Sequence, residues 1–506
     1  MPSLVADPRY VAVLADPWTS SVATFLVVIV LGASFMVAAH LGAGFVSPSK
    51  EACAQLRLHA IGFAHLFLGG FIPTSTAMTS LTVARNFGHS TTFSAFIMSS
   101  YWMFSIVGAL LGRFLATRLT QEKQRVVIPL LIALDAVSSL LGGLIVQEVL
   151  PVHHRDTTFI TLRSISGLLY MVTQVLICRI TAESCPSTSR VRLQLSYAFA
   201  TMLGCGIGPV AVSAVTAASE KTSAADFAIA SPLYITSAWL LVHMLSNALV
   251  IPGHEGSMEE IARDESWMPV VMQDGNDPWK ENPKALTLPK ELYIDAKSLW
   301  LRKLVFVFGS LYGLQRALVT HGLEAATSFI LETVFGWSMS RVSLAVGMVY
   351  LVSLVIALVC YCCPHGIGEQ EIMSRASWIA LLASAFLIAF VSRAESVILL
   401  ADGVLFTASF MAAGVAEGLS VTTAVPESPA FNVQSWYCLR ACLQSISRFA
   451  TPLIVRSSIE HSVAAYAIVQ LSIAGVGVLN CYALSGVVRA LASWSNTHSE
   501  SPEEGS

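Results

Sequence analysis

Charge is what this sequence has least of. Lys, Arg, Asp and Glu together make up 12% of its 506 residues, where a soluble domain carries about a quarter. That is too little polar surface to face water, so most of the chain is solvated by lipid. Net charge is only -3, which gives no footprint for a nucleic-acid partner. The ten cysteines are scattered and lie mostly inside apolar runs, so they read as small packing residues and not as a disulfide framework. No Asn-x-Ser/Thr sequon occurs, so glycosylation marks neither side of the membrane. No His, Asp or Ser constellation suited to catalysis falls within the apolar runs, which argues against an enzyme.

Hydrophobic residues make up 55% of the chain. They fall in runs of about 20 to 25 residues without alternation, the length and pattern of membrane-crossing helices rather than barrel strands. Six spans precede a long polar gap at 252–302, at about 58–83, 92–117, 126–149, 157–180, 192–218 and 229–251. Six follow it, at about 303–328, 340–362, 374–392, 396–417, 434–458 and 463–489. A further run at 19–43 makes thirteen. Its lead-in is polar and carries only Arg9 as a positive charge, so it reads as a retained accessory helix in a 1–57 segment, with a cleaved signal peptide as the alternative. The expected architecture is all-α and polytopic: a six-helix bundle at 58–251, a cytosolic linker, a second bundle at 303–490 and a polar tail at 491–506. A chain divided into two such halves is organised like a two-bundle secondary transporter.

Charge sets the direction. With the first helix of each six leaving the cytosol, cytosolic loops hold Arg113, Arg118, Lys123, Arg125, Arg179, Arg190 and Arg192, and the gap adds seven more cations from Arg263 to Lys303. Opposite loops keep Arg85, Arg155, Lys221, Arg341, Arg393 and Arg456. This is the positive-inside bias.

Three short motifs fall on particular helices. The loop after the second core helix reads Gly112-Arg-Phe-Leu-Ala-Thr-Arg118. The fourth helix contains Arg163-Ser-Ile-Ser-Gly167, and the fifth Gly204-Cys-Gly206-Ile-Gly208-Pro209. Glycines let a neighbouring helix approach closely and the proline bends the rod. In this order the motifs resemble the signatures of the major facilitator superfamily over about residues 58–490, with Ala116 where the family has an Asp. The stretch Arg179 to Pro209 is similar to two organellar branches, the lysosomal ceroid-lipofuscinosis-associated carriers and the vacuolar SPX-type carriers. The resemblance implies an alternating-access carrier, lined by its first, fourth, seventh and tenth helices with the second, fifth, eighth and eleventh beside them.

Ionisable residues inside spans are costly and mark a cavity or a partner. Arg316 and Arg448 sit near mid-membrane on the seventh and eleventh helices, and Arg163 sits on the fourth. Three converging guanidinium groups favour an anion, though Arg316 or Arg448 could instead pair with Glu324, Asp402 or Asp135; the last, on a peripheral helix, reads as structural. Gln174 and Gln444 extend the polar stripes of the fourth and eleventh helices, the latter recurring as Arg440, Gln444 and Arg448. The candidate solute-binding set is therefore Arg163, Gln174, Arg316, Gln444 and Arg448. Glu324 with His321, three residues apart on one face, and Asp402 are the candidates for coupling to protons. No cofactor or metal is expected. His153-His154-Arg155-Asp156 lacks a partner set for catalysis, and Cys360, Cys362, Cys363 and His365 fit packing or palmitoylation better than zinc. The expected protein is a monomeric, multi-pass carrier of a small solute, in a vacuolar or lysosomal-type or a plasma membrane. Its rival is a carrier-like sensor or scaffold that no longer transports.

Overall fold

The computed structural model describes residues 50–184, 190–219, 225–250, 295–362, 369–390, 394–425 and 428–499. The run at 19–43, nearly all of the polar gap, Lys221, Arg393, Cys363 and His365 lie outside them. Among the described residues every regular element is a helix. The first half comprises α1 (Lys50–Asn86), α2 (Thr91–Met103, resuming as Ser105–Arg118), α3 (Gln121–Val146), α4 (Arg155–Glu183), α5 (Arg190–Ser219) and α6 (Ala225–Val250). The second comprises α7 (Ala296–Thr333), α8 (Met339–Cys362), α9 (Glu369–Phe390), α10 (Glu395–Thr422), α11 (Val433–His461) and α12 (Val463–Ser499). Ten of the twelve are long and apolar enough to cross a membrane by length and composition alone. The other two, α7 and α11, carry Arg316, His321 and Glu324, and Arg440, Arg448 and Arg456. The polarity that lowers them below a typical span is the polarity that builds the site described below.

Several helices outrun their apolar segments, because the backbone hydrogen-bond ladder continues into polar residues. α1 begins at Lys50, inside the segment read as a tail, and α12 continues to Ser499. α7 begins at Ala296, within the expected linker, where the Asp295 carboxylate caps it by accepting from the Ser298 amide at 2.7 Å. The same carboxylate accepts from Trp494 Nε1 at 3.1 Å, and Lys297 lies 3.7 Å from the Trp494 ring centroid. The last turns of α12 are thus docked on the start of α7. Arg302 is also structural: it donates to the carbonyls of Thr423 (3.0 Å) and Ala424 (2.7 Å), neutralising the negative end of α10.

Glycines set the packing of the first half. A Cβ on Gly167 would overlap the Tyr101 carbonyl, so α4 lies backbone-to-backbone on α2. A Cβ on Gly204 would meet the Phe67 carbonyl and the Phe71 amide, which brings α5 onto α1. Gly208 faces Thr74 of α1 in the same way, and Gly112 meets Val172 of α4.

The two halves touch at both ends. Toward the cytosolic end by the charge bias, Arg113 donates to the Pro429 carbonyl (2.8 Å), Gln434 donates to the Arg113 carbonyl (3.0 Å) and Gln194 donates to the Tyr437 hydroxyl (2.5 Å). At the other end Glu460 accepts from Thr91 (2.9 Å) and Thr92 (3.3 Å). There Arg456 donates to Ser80 (3.0 Å) and to Ser94. Arg456 therefore corrects the loop assignment made from sequence: it is buried inside α11, facing the first half. Its removal from the outer loops strengthens the positive-inside asymmetry.

Gly204→Val and Gly167→Val are each expected to destabilise the protein, since overpacking a tight contact costs about 1–3 kcal/mol. Gly486 is the control, because nothing lies within 4 Å of the position a Cβ would take there. Gly486→Ala should leave detergent thermal melts unchanged or slightly raised. Equal melts for all three variants would contradict the close-approach account.

Candidate functional site

A cleft enclosing at most about 410 Å³ lies between the halves. From the first half come Leu66 and Gly69 on α1, Tyr170 and Gln174 on α4, and Ala198 and Thr201 on α5. From the second come Arg316 on α7, then Phe410, Gly414 and Glu417 on α10, and Arg440, Gln444 and Arg448 on α11. All charge in this lining belongs to the second half.

Two charge clusters hold the arginines. In one, Glu417 is clamped between two cations: Arg316 Nη2 donates to its Oε1 at 3.0 Å and Arg440 Nη2 to its Oε2 at 2.8 Å. All three side chains are buried. The guanidinium of Arg316 also lies 5.0 Å from the Phe410 ring centroid. In the other cluster, Arg448 Nε donates to His321 Nε2 at 2.5 Å, while His321 Nδ1 lies 2.9 Å from Glu324 Oε2. Arginine can only donate, so His321 accepts at Nε2 and its single proton sits on Nδ1, donated to Glu324. This geometry makes His321 neutral and Glu324 a carboxylate, with Cys205 Sγ of α5 at 3.8 Å from its other oxygen. Arg448 also reaches across the cleft, donating to the Gly69 carbonyl at 3.1 Å and lying 4.2 Å from the Trp102 ring centroid.

Of the sequence-predicted residues, Arg316, Arg448, Gln174 and Gln444 line the cleft, and His321 and Glu324 stand directly behind Arg448. Glu324 is buried, so it is not a solvated helix end. Arg163 is placed elsewhere, with its guanidinium 5.4 Å from the Tyr101 ring centroid and 5.9 Å from that of Phe159. Asp402 accepts from Thr327 in the interior of the second half, and Asp135 accepts from Ser166 in the first. Neither pairs with Arg316 or Arg448. Arg118 is exposed beside Phe114, while Arg179 donates to the Ala116 carbonyl and pairs with Glu183 at 2.7 Å. The residues around His153 form ordinary surface pairs, Arg155 with Glu148 and Asp156 with His89.

Glu417 is the residue that sequence reasoning missed. The span was read as ending on it, which made it a boundary carboxylate. In the structure α10 runs on to Thr422, leaving Glu417 more than a turn inside. Two arginines on neighbouring helices were the signal that an acid had to stand between them.

Two six-helix bundles that meet about a central polar cleft define a multi-pass integral membrane protein of carrier architecture. Residues 60–452 match the Major Facilitator Superfamily, and the chain belongs to that family. No curated protein matches it in sequence. Solved structures share the fold. One is the E. coli xylose transporter XylE in a partially occluded inward-open conformation, at TM-score 0.59 and 14% identity over 85% of this chain and 96% of that one. The same proton:xylose symporter bound to 6-bromo-6-deoxy-D-glucose gives TM-score 0.64 and 14% identity over 87% and 97%. The human organic anion transporter MFSD10 gives TM-score 0.54 and 15% identity over 85% and 99%.

Removing one partner of a buried ion pair strands the other, a loss of about 3–5 kcal/mol. Glu417→Gln, which keeps the shape and deletes the charge, is expected to lose that much in unfolding titrations in mixed micelles. The Arg316→Gln/Glu417→Gln double variant should recover part of it. Strict additivity of the two single losses would show that the pair is not coupled.

Proposed function

We propose that this chain is a secondary active transporter of a small anion, working by alternating access and driven by protons. The observation that carries this reading is the cleft itself: a site between two pseudo-equivalent bundles, with three buried arginines from one half and contacts between the halves above and below. No nucleotide-binding motif occurs in the sequence, so a gradient must supply the energy. The solved structures that share the fold include a proton:xylose symporter and an organic anion transporter. At 14–15% identity they support the carrier class and leave the solute open.

His321 and Glu324 are the proposed coupling pair. A second proton on His321 would turn Nε2 from an acceptor into a donor, and Arg448 would lose that partner. Arg448 would keep the Gly69 carbonyl of the opposite half and become free for a solute. One proton would thereby alter the charge facing the cleft and free one donor of the arginine that makes a contact between the bundles. The likeness of Arg179 to Pro209 to lysosomal and vacuolar carriers favours an organelle membrane.

Purified protein in proteoliposomes with an imposed pH gradient tests the proposal. The wild type is expected to accumulate anion above equilibrium. Glu324→Gln should lose that accumulation while retaining solute exchange at equal concentrations on both sides. Unchanged gradient-driven uptake in Glu324→Gln would remove the coupling role. Ligand-induced thermal stabilisation with no flux under any gradient would favour the non-transporting sensor.

A further inference from the structure

Charge in the cleft does not cancel. Arg316, Arg440 and Arg448 contribute three positive charges, Glu417 and Glu324 two negative ones, and His321 is held neutral by its two hydrogen bonds. The remaining lining residues are uncharged. The site therefore has one uncompensated positive charge, in a medium where a bare charge is expensive.

Its donors are also incompletely used. Nε and Nη1 of Arg440 and Nε of Arg316 are buried without a hydrogen-bond partner among the described residues. Buried donors of charged groups are nearly always paired, so such atoms on two arginines that line the cleft point to a missing acceptor. The opposite wall differs in kind. The first half offers Tyr170, Gln174 and Thr201, which are polar but uncharged, beside the apolar Leu66 and Ala198. Gln174 and Gln444 face each other's halves with both donors and acceptors.

From the charge count and this division of the walls, we propose that the solute is a small organic monoanion: a monocarboxylate bearing hydroxyl or amide groups. Its carboxylate meets Arg440 and Arg316, and its neutral polar groups meet Gln174, Thr201 and Tyr170. A dianion would leave the site with a net negative charge. A neutral polyol would leave the arginine donors unused. An inorganic anion would leave the neutral wall without partners. This proposal deepens the carrier reading and rests on it for the term solute, but it is tested by binding alone.

The test is isothermal titration of the purified full chain with glycerate and gluconate (hydroxylated monoanions), pantothenate (a hydroxyl- and amide-bearing monoanion), propionate, malate, glucitol and inorganic phosphate. At least one of the first three is expected to bind at least about 10-fold more tightly than propionate, malate, glucitol and phosphate, the range that two or more hydrogen bonds supply. Arg440→Gln should weaken that binding about 10- to 100-fold, the range for a charged hydrogen bond. Arg440→Lys, which keeps the charge, should retain the preference for a monoanion over malate. Gln174→Leu should weaken the functionalised monoanion about 2- to 10-fold and leave propionate unchanged. Tighter binding of malate, phosphate or glucitol overturns the proposal, as does binding by none of the monocarboxylates. A chain that binds gluconate but moves nothing contradicts the carrier reading alone. One that carries a dianion contradicts only this inference.

Discussion

A guanidinium inside a bilayer cannot be left bare, and the second half of this protein is built around that constraint. A charged side chain at mid-membrane costs several kcal/mol or more, while an interhelical hydrogen bond contributes about 0.6 kcal/mol on average. Hydroxyl groups alone therefore offset little of the cost, and carboxylates must be close. Glu417 serves Arg316 and Arg440 together. Arg448 is satisfied indirectly, through a neutral imidazole that passes its hydrogen bond on to Glu324. Arg302 instead uses the carbonyls that end α10. Each solution ties α7 to α10 or α11, so the charge pattern and the helix packing are one arrangement.

The two halves divide the labour. The first is held by close backbone approach at Gly167 and Gly204 and presents an uncharged wall to the cleft. The second supplies all the charge. Arg448 crosses the cleft at its middle, where its bond to the Gly69 carbonyl links the ionisable pair behind it to the opposite bundle. In the proposed mechanism a charge change at His321 would act on the arginine that makes this inter-bundle contact, with no relay through a loop. That matters because Ala116, which the sequence placed in a loop and the structure places in the last turns of α2, stands where a carboxylate occurs in the family pattern.

The fold was legible in the sequence because lipid imposes one coarse rule, a continuous apolar run for each crossing, and the runs follow from it. Charge and hydropathy fix a helix axis but not its rotation or its ends. That is why Arg456 was read as a loop residue when it points into the bundle interface, and why Glu417 was read as a helix end. Spacing did find the pairs within one helix: His321 with Glu324, and the stripe of Arg440, Gln444 and Arg448. It could not find pairs between helices, since the partner of Arg316 is 101 positions away. Arg163 shows the reverse case, a buried arginine on an expected cavity helix whose rotation turns it toward Tyr101 and Phe159.

The central claim is that the cleft wall of the second half, with His321 neutral, carries an excess of one positive charge, which the carboxylate of the solute neutralises beside Arg316 and Arg440. A cryo-electron microscopy structure of the full chain with the tightest-binding monocarboxylate tests it most directly. The account expects the carboxylate within hydrogen-bonding distance of Arg440 and Arg316, with the remainder of the molecule against Gln174 and Thr201. A carboxylate bound away from both arginines, or an opposite orientation across the cleft, would contradict it.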